Sequence, residues 1–241
     1  MRALLFLMLI PCAATAQDRV GDGIYLEFDV QAFKAGQWVE QELTTKFIDE
    51  DGKAVAEHWF SRLACIRTDD EFVWMEETRW SAARPDERTV TQHQLRRKDG
   101  EVLKAWRGKP GSKGEILEIC KSLPVTEIHP RDSKRTGNVT TEKLEVGGTV
   151  IEIQKIQIEI VEPGEKGKKF IKTICISKSA PFPIRWDDEG VLRRKTEEAT
   201  LAGTIEVTAG VVSIERTWPN GSSRFAVIAM GIDAKPTLTT K

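Results

Sequence analysis

The sequence is that of a mainly β protein: a large antiparallel up-and-down meander forming a curved sheet or unclosed β-barrel, with one short covering helix. Three observations predict it. Apolar and polar residues alternate with a period of two from Gly23 onward, the spacing of strands with one face in a core. Glycine-containing turn pairs punctuate these runs at Asp51-Gly52, Asp99-Gly100, Gly147-Gly148, Pro163-Gly164, Glu189-Gly190 and Asn220-Gly221, and such turns join antiparallel neighbours. A single stretch carries apolar residues at helical spacing.

Taken in chain order, the first element is an address. Arg2 precedes an apolar run from Ala3 to Ile10 that is too short to span a bilayer, and Ala14-Thr15-Ala16 supplies small residues for a signal peptidase. Residues 1–16 are therefore read as a signal peptide, and 17–241 as a single β domain. Export, to the periplasm or the extracellular space, is the expected location. Leu9-Ile10-Pro11-Cys12 offers a second reading as a lipoprotein signal with acylation at Cys12, although proline fits badly at that position. No second apolar span follows. With 36 basic against 37 acidic residues, nothing predicts electrostatic attraction to nucleic acid.

Ile24, Leu26, Phe28 and Val30 alternate with polar neighbours and predict the first strand. In the Glu71–Trp80 run, Trp74 and Trp80 share parity and fall on one face if the strand stays regular, whereas Glu76 and Glu77 fall on opposite faces. Ser112-Lys113-Gly114-Glu115 resembles a capping box, and Ile116, Leu117, Ile119, Cys120 and Leu123 follow at helical spacing before Pro124. Lys113 to Leu123 is thus read as an amphipathic helix across the sheet. Further on, the apolar set moves from Ile151 and Ile153 to Ile156, Ile158 and Ile160. A β-bulge near Gln154-Lys155 would keep these on one face. The stretches 82–87, 108–114 and 130–138 and the tail after Asp233 are polar and read as mobile.

Three cysteines follow the leader. The helical reading puts Cys120 on the apolar face and makes Cys65–Cys120 the chosen disulfide, with Cys175, between Thr173 and Ser177, facing outward. Buried thiols are the alternative. No catalytic signature is present: there is no Gly-x-Ser-x-Gly elbow and no His-Glu-x-x-His, and the loop 108–114 lacks the spacing of a phosphate loop. Asp49-Glu50-Asp51-Gly52 and Asp187-Asp188-Glu189-Gly190 do not continue as EF-hands and read as acidic hairpin turns. No metal or cofactor is predicted.

The phrase Ile171-Lys172-Thr173-Ile174-Cys175-Ile176-Ser177-Lys178-Ser179-Ala180-Pro181-Phe182-Pro183-Ile184-Arg185-Trp186, with the acidic turn after it, resembles one found in the bacterial lipoprotein-carrier-like superfamily of exported β proteins. There a strand ends in a polar segment, a proline opens the next strand and a hairpin returns it. Ile174-Cys175-Ile176 stands where that family usually carries an aromatic. The resemblance implies an unclosed β-barrel with helix cover over an apolar cavity that binds a lipid or acyl group, and it brings no catalytic residue.

The expected function is that of an exported, non-enzymatic envelope protein binding a lipid or other apolar small molecule, or docking an envelope protein, on the concave face of a half-barrel. Trp59, Phe72, Trp74, Ile116 and Leu117 are the expected lining residues. Seven tryptophans against one tyrosine motivate an alternative, a carbohydrate-binding module with exposed indoles. An envelope hydrolase drawing its acid and base from separate strands is the third reading.

Overall fold

The computed structural model describes residues 19–21, 27–117, 128–130, 134–164, 167–185, 199–202 and 208–239. The expected leader 1–16, Cys120 and the expected turn at Asp187-Asp188-Glu189-Gly190 lie outside them. Chain order gives β1 (Arg19–Gly21), β2 (Glu27–Phe28), β3 (Trp38–Ile48), β4 (Ala54–Thr68), β5 (Phe72–Ser81), β6 (Arg84–Arg96), β7 (Val102–Gly108) and β8 (Glu115–Leu117). There follow β9 (Ile128–Pro130), β10 (Lys134–Val146), β11 (Thr149–Val161), β12 (Lys169–Ser177), β13 (Pro183–Arg185), β14 (Ala199–Ala202), β15 (Thr208–Trp218) and β16 (Gly221–Gly231).

One mainly antiparallel sheet dominates, in the order β14-β10-β11-β12-β15-β16-β3-β4-β5-β6-β7-β8. It is a meander cut and rejoined. Strands β3 to β8 run in sequence, β10 to β12 do the same, and the β15–β16 hairpin sits between the two runs. Only β10–β14 is parallel within this sheet. Both ends are short strands, three residues in β8 and four in β14, which limits the unpaired edge.

The sheet is open but strongly curved. Three strands separate β10 from β16 in the sheet order, so a flat sheet would hold them about 19 Å apart at the usual strand spacing. Yet the Gly147 turn of the β10–β11 hairpin lies against Ala229 and Ile228 of β16. The enclosed space is filled by one apolar cluster that includes Val39, Leu63, Cys65, Val73, Met75, Leu95, Ile151, Ile153, Val212 and Val227.

The acidic turns serve as hairpin caps. Asp49 accepts the amides of Asp51 and Lys53 at 3.1 and 2.8 Å, and Asp69 those of Glu71 and Phe72 at 3.0 and 2.8 Å. Among the described residues no cluster able to hold a metal occurs, and no helix is long and apolar enough to cross a membrane.

Several expectations are corrected. Val30 opens a 3-10 turn at Val30–Ala32 instead of continuing a strand: the Asp29 amide still pairs with the Pro183 carbonyl at 2.8 Å, but the Ala32 and Phe33 amides then turn back to the Asp29 and Val30 carbonyls at 2.9 and 3.3 Å. Within the expected Lys113 to Leu123 helix, residues 115–117 are strand β8 paired to β7, with Ile116 81% exposed, and 118–123 lie outside the described residues. There is no bulge at Gln154-Lys155, since the register of β11 with β10 runs through without a shift and that with β12 is unshifted from Gln154 to Val161. Instead Ile151 and Ile153 enter the enclosed cluster, while Ile156, Ile158 and Ile160 point to the opposite face and join Ile174 and Ile176 in a second core. Strand β11 changes the face it buries halfway along.

Cys175 is not outward-facing either; it is buried in the enclosed cluster, as is Cys65. Both are free thiols, and burial pushes the Cys65 thiol up to about 11. The stretches 82–87 and 130–138 are largely taken up by β6 and β10.

Candidate functional site

The β3–β7 meander presents two chemically different faces. Alternation puts Val39, Leu63, Cys65, Val73 and Met75 on the inner face, since all enter the enclosed cluster. The same parity and register bring Gln41, Ser61, Glu77, Arg79, Thr91, His93 and Arg107 onto that face. Gln41, Ser61 and Arg79 form one row across three strands, and Ser61 donates to the Gln41 amide oxygen at 3.0 Å. Arg79 donates to Glu77 at 2.7 Å, along its own strand. Burial, then the Arg79 and Arg107 guanidiniums, holds His93 down at about 4.

His93 is therefore expected to stay neutral down to about pH 5. Because its folded value lies below the ordinary value of 6.5, its contribution to stability is complete above pH 6.5 and is lost as pH falls toward 4. NMR titration of the imidazole checks this, and a midpoint near 6.5 would contradict the burial of the ring.

Beyond the polar row lies an apolar one. Phe225, Leu43 and Trp59 are successive register partners across β16, β3 and β4. Trp59 is 41% exposed, the most exposed tryptophan among those described. The inner face thus passes from packed apolar floor through a hydrogen-bonded polar row to a partly open aromatic edge. Such a surface suits an elongated ligand with one polar end.

The expected lining residues divide between the faces. Trp59 and Leu117 take inner-face positions, the latter by pairing with Ala105 beside His93. Phe72, Trp74 and Ile116 take the outer face, because Val73 and Met75 occupy the inner one. Trp74 and Trp80 do share a face, and it too is the outer one. There Arg67 lies 4.4 Å from the Trp74 ring centre, Arg88 4.6 Å from Trp80 and Arg62 4.3 Å from Trp38. Each of these indoles already has a guanidinium on one side.

The polar inner row escaped the sequence reading. Its members are scattered from position 41 to 107, and only the strand register gathers them. Parity within each strand was available, but nothing in the sequence says which parity points inward. No family model matches this chain, and no curated protein matches it by sequence.

Proposed function

We propose that this chain is an exported, non-enzymatic envelope protein that shelters a lipid or other apolar ligand against the inner face of its unclosed sheet. The observation that carries the reading is the sequence of surfaces on that face, with Phe225, Leu43 and the half-open Trp59 lying beside a polar row. An apolar chain gains by covering Trp59, and the row headed by Arg79 offers donors to a polar end. The signal-like leader and the absence of a catalytic motif agree with it. Guanidinium capping of Trp38, Trp74 and Trp80 weighs against a tryptophan platform for sugars. Engagement of Glu77 by Arg79 within one strand gives that carboxylate a structural partner, so the hydrolase reading gains nothing from it.

The test is binding of a fluorescent fatty-acid probe to the wild-type chain and to Trp59→Ala. Loss of the exposed indole is expected to weaken binding about tenfold, the effect of roughly 1.4 kcal/mol, while the melting temperature stays nearly unchanged. A wild-type chain that ignores such probes ends this reading. Equal affinity in the variant would remove Trp59 from the site.

A further inference from the structure

The loop 108–114 and the segment after Asp233 both read as mobile polar chain, and the structure ties them to each other. Gly111 donates its amide to the Thr237 carbonyl at 2.7 Å, Thr239 donates to the Ser112 carbonyl at 3.0 Å, and Gly114 donates to the Thr239 carbonyl at 3.1 Å. Residues 237–239 thus lie alongside the loop as a short added strand, bridged in parallel at Lys113 and Thr239.

Beneath them is Glu76, on the outer face of β5 and only 3% exposed. Its carboxylate accepts the Thr237 amide on both oxygens at 3.0 Å, the Thr237 hydroxyl at 2.6 Å and the Leu238 amide at 3.1 Å. Leu238 is buried against Val90 and Trp106. Two glycines shape its slot: a Cβ on Gly108 would come within 2.7 Å of one Leu238 methyl, and a Cβ on Gly114 within 2.8 Å of the other.

We infer that this slot is a peptide-binding site, occupied in cis by residues 237–239 and able to take in trans an extended peptide carrying a hydroxyl residue followed by leucine. The recognition elements are those of strand addition to an exposed edge: main-chain bonds along a loop, a carboxylate fork on consecutive amides, and one side-chain pocket. All of them act on three consecutive residues, so a short peptide presents the whole signal. Lys235, Pro236, Thr237 and Thr239 are exposed, and Leu238 is the one buried side chain in this stretch. The cis occupant is held by hydrogen bonds and this one side chain, all of which a second peptide of the same sequence can supply equally. Specificity follows from the same geometry: proline at the leucine position would remove a donor that Glu76 needs, and alanine would leave the slot empty.

Two measurements test this on the full-length chain. In the first, a labelled Lys-Pro-Thr-Leu-Thr-Thr peptide is titrated by fluorescence anisotropy against Leu238→Ala, whose own segment no longer fills the slot. It is expected to bind that variant at least about tenfold more tightly than the wild type, and to lose at least about tenfold when Glu76→Gln or Gly114→Ala is added. Gly114→Ala closes the slot without touching the carboxylate. A cooperatively melting Leu238→Ala chain that does not bind, or binding indifferent to both added substitutions, overturns the inference. The second measurement needs no variant. Excess peptide should speed hydrogen exchange of the Leu238 amide in the wild-type chain severalfold, whereas the peptide with proline in place of leucine should not. Equal exchange with both peptides overturns the inference as well.

Discussion

Replacing Phe182 by alanine is expected to destabilise the protein by about 3–5 kcal/mol, and replacing it by glycine should cost no more. Phe182 is the one described non-glycine residue with positive φ, at 59°. It is almost fully buried, with its ring edge-on to Phe33 at 5.0 Å between centroids. Left-handed backbone costs an L-residue about 1–2 kcal/mol, so burial of the ring holds a strained main chain in place. Alanine loses the ring and keeps the strain; glycine loses the ring and releases it. Glycine is ordinarily worse than alanine by about 0.5–1 kcal/mol, and here the order should level or reverse. Urea unfolding of the two variants decides the matter, and a glycine variant clearly less stable than the alanine one would show that the left-handed conformation costs nothing at this site.

Gly36→Ala is the second substitution with a large expected effect, a loss of about 2–4 kcal/mol. Gly36 has φ at +90°, and a Cβ there would collide with the Ile232 carbonyl oxygen. The residue is also a junction. Its amide donates to the Cys65 carbonyl at 2.7 Å, and its own carbonyl accepts the Ala234 amide at 2.8 Å. The collision is with backbone, so no side-chain rotation relieves it. Gly52→Ala is the matching control, since its φ is +77° and nothing lies within 4 Å of the added carbon. That variant should lose only about 1 kcal/mol, the left-handed penalty alone. Equal thermal shifts for the two variants would mean that crowding at Gly36 contributes nothing.

The strands and most of the turns were legible because they rest on local chemistry. Alternation along Glu71–Trp80 correctly put Trp74 and Trp80 together and Glu76 opposite Glu77. The glycines at 52, 100, 147, 148 and 164 all adopt positive φ. Misreadings arose where a non-local partner decided the outcome. Residues 115–117 have helical spacing on paper, but a short apolar run does not distinguish period 3.6 from period 2, and the open edge of β7 claimed them. The phase change in β11 looked like a bulge because one buried face was assumed, whereas the strand serves two cores in succession. Irregularities of register fall elsewhere, between Cys65 and Arg67, Arg79 and Ser81, Gln94 and Leu95, Cys175 and Ile176, and Val227 and Ala229. Nothing polar or apolar in the local pattern announces them. The segment 234–239 looked mobile because its anchor, Glu76, is some 160 positions away.

The placement of the β15–β16 hairpin bears on how the chain is assembled in time. A chain emerging from its amino end during synthesis can build β3–β8 and β10–β12 early, as two separate meanders whose contacts are local and quick to form. Each then waits with one long strand open along its outer edge, β3 in the first and β12 in the second, until residues 208–231 arrive and pair with both. During that interval the molecule carries two adhesive borders of eleven and nine residues, the kind of surface that pairs with whatever strand it meets. The last-formed hairpin is therefore the closing seam of the fold, and interruption of synthesis before it emerges leaves a species prone to self-association, not a smaller stable domain.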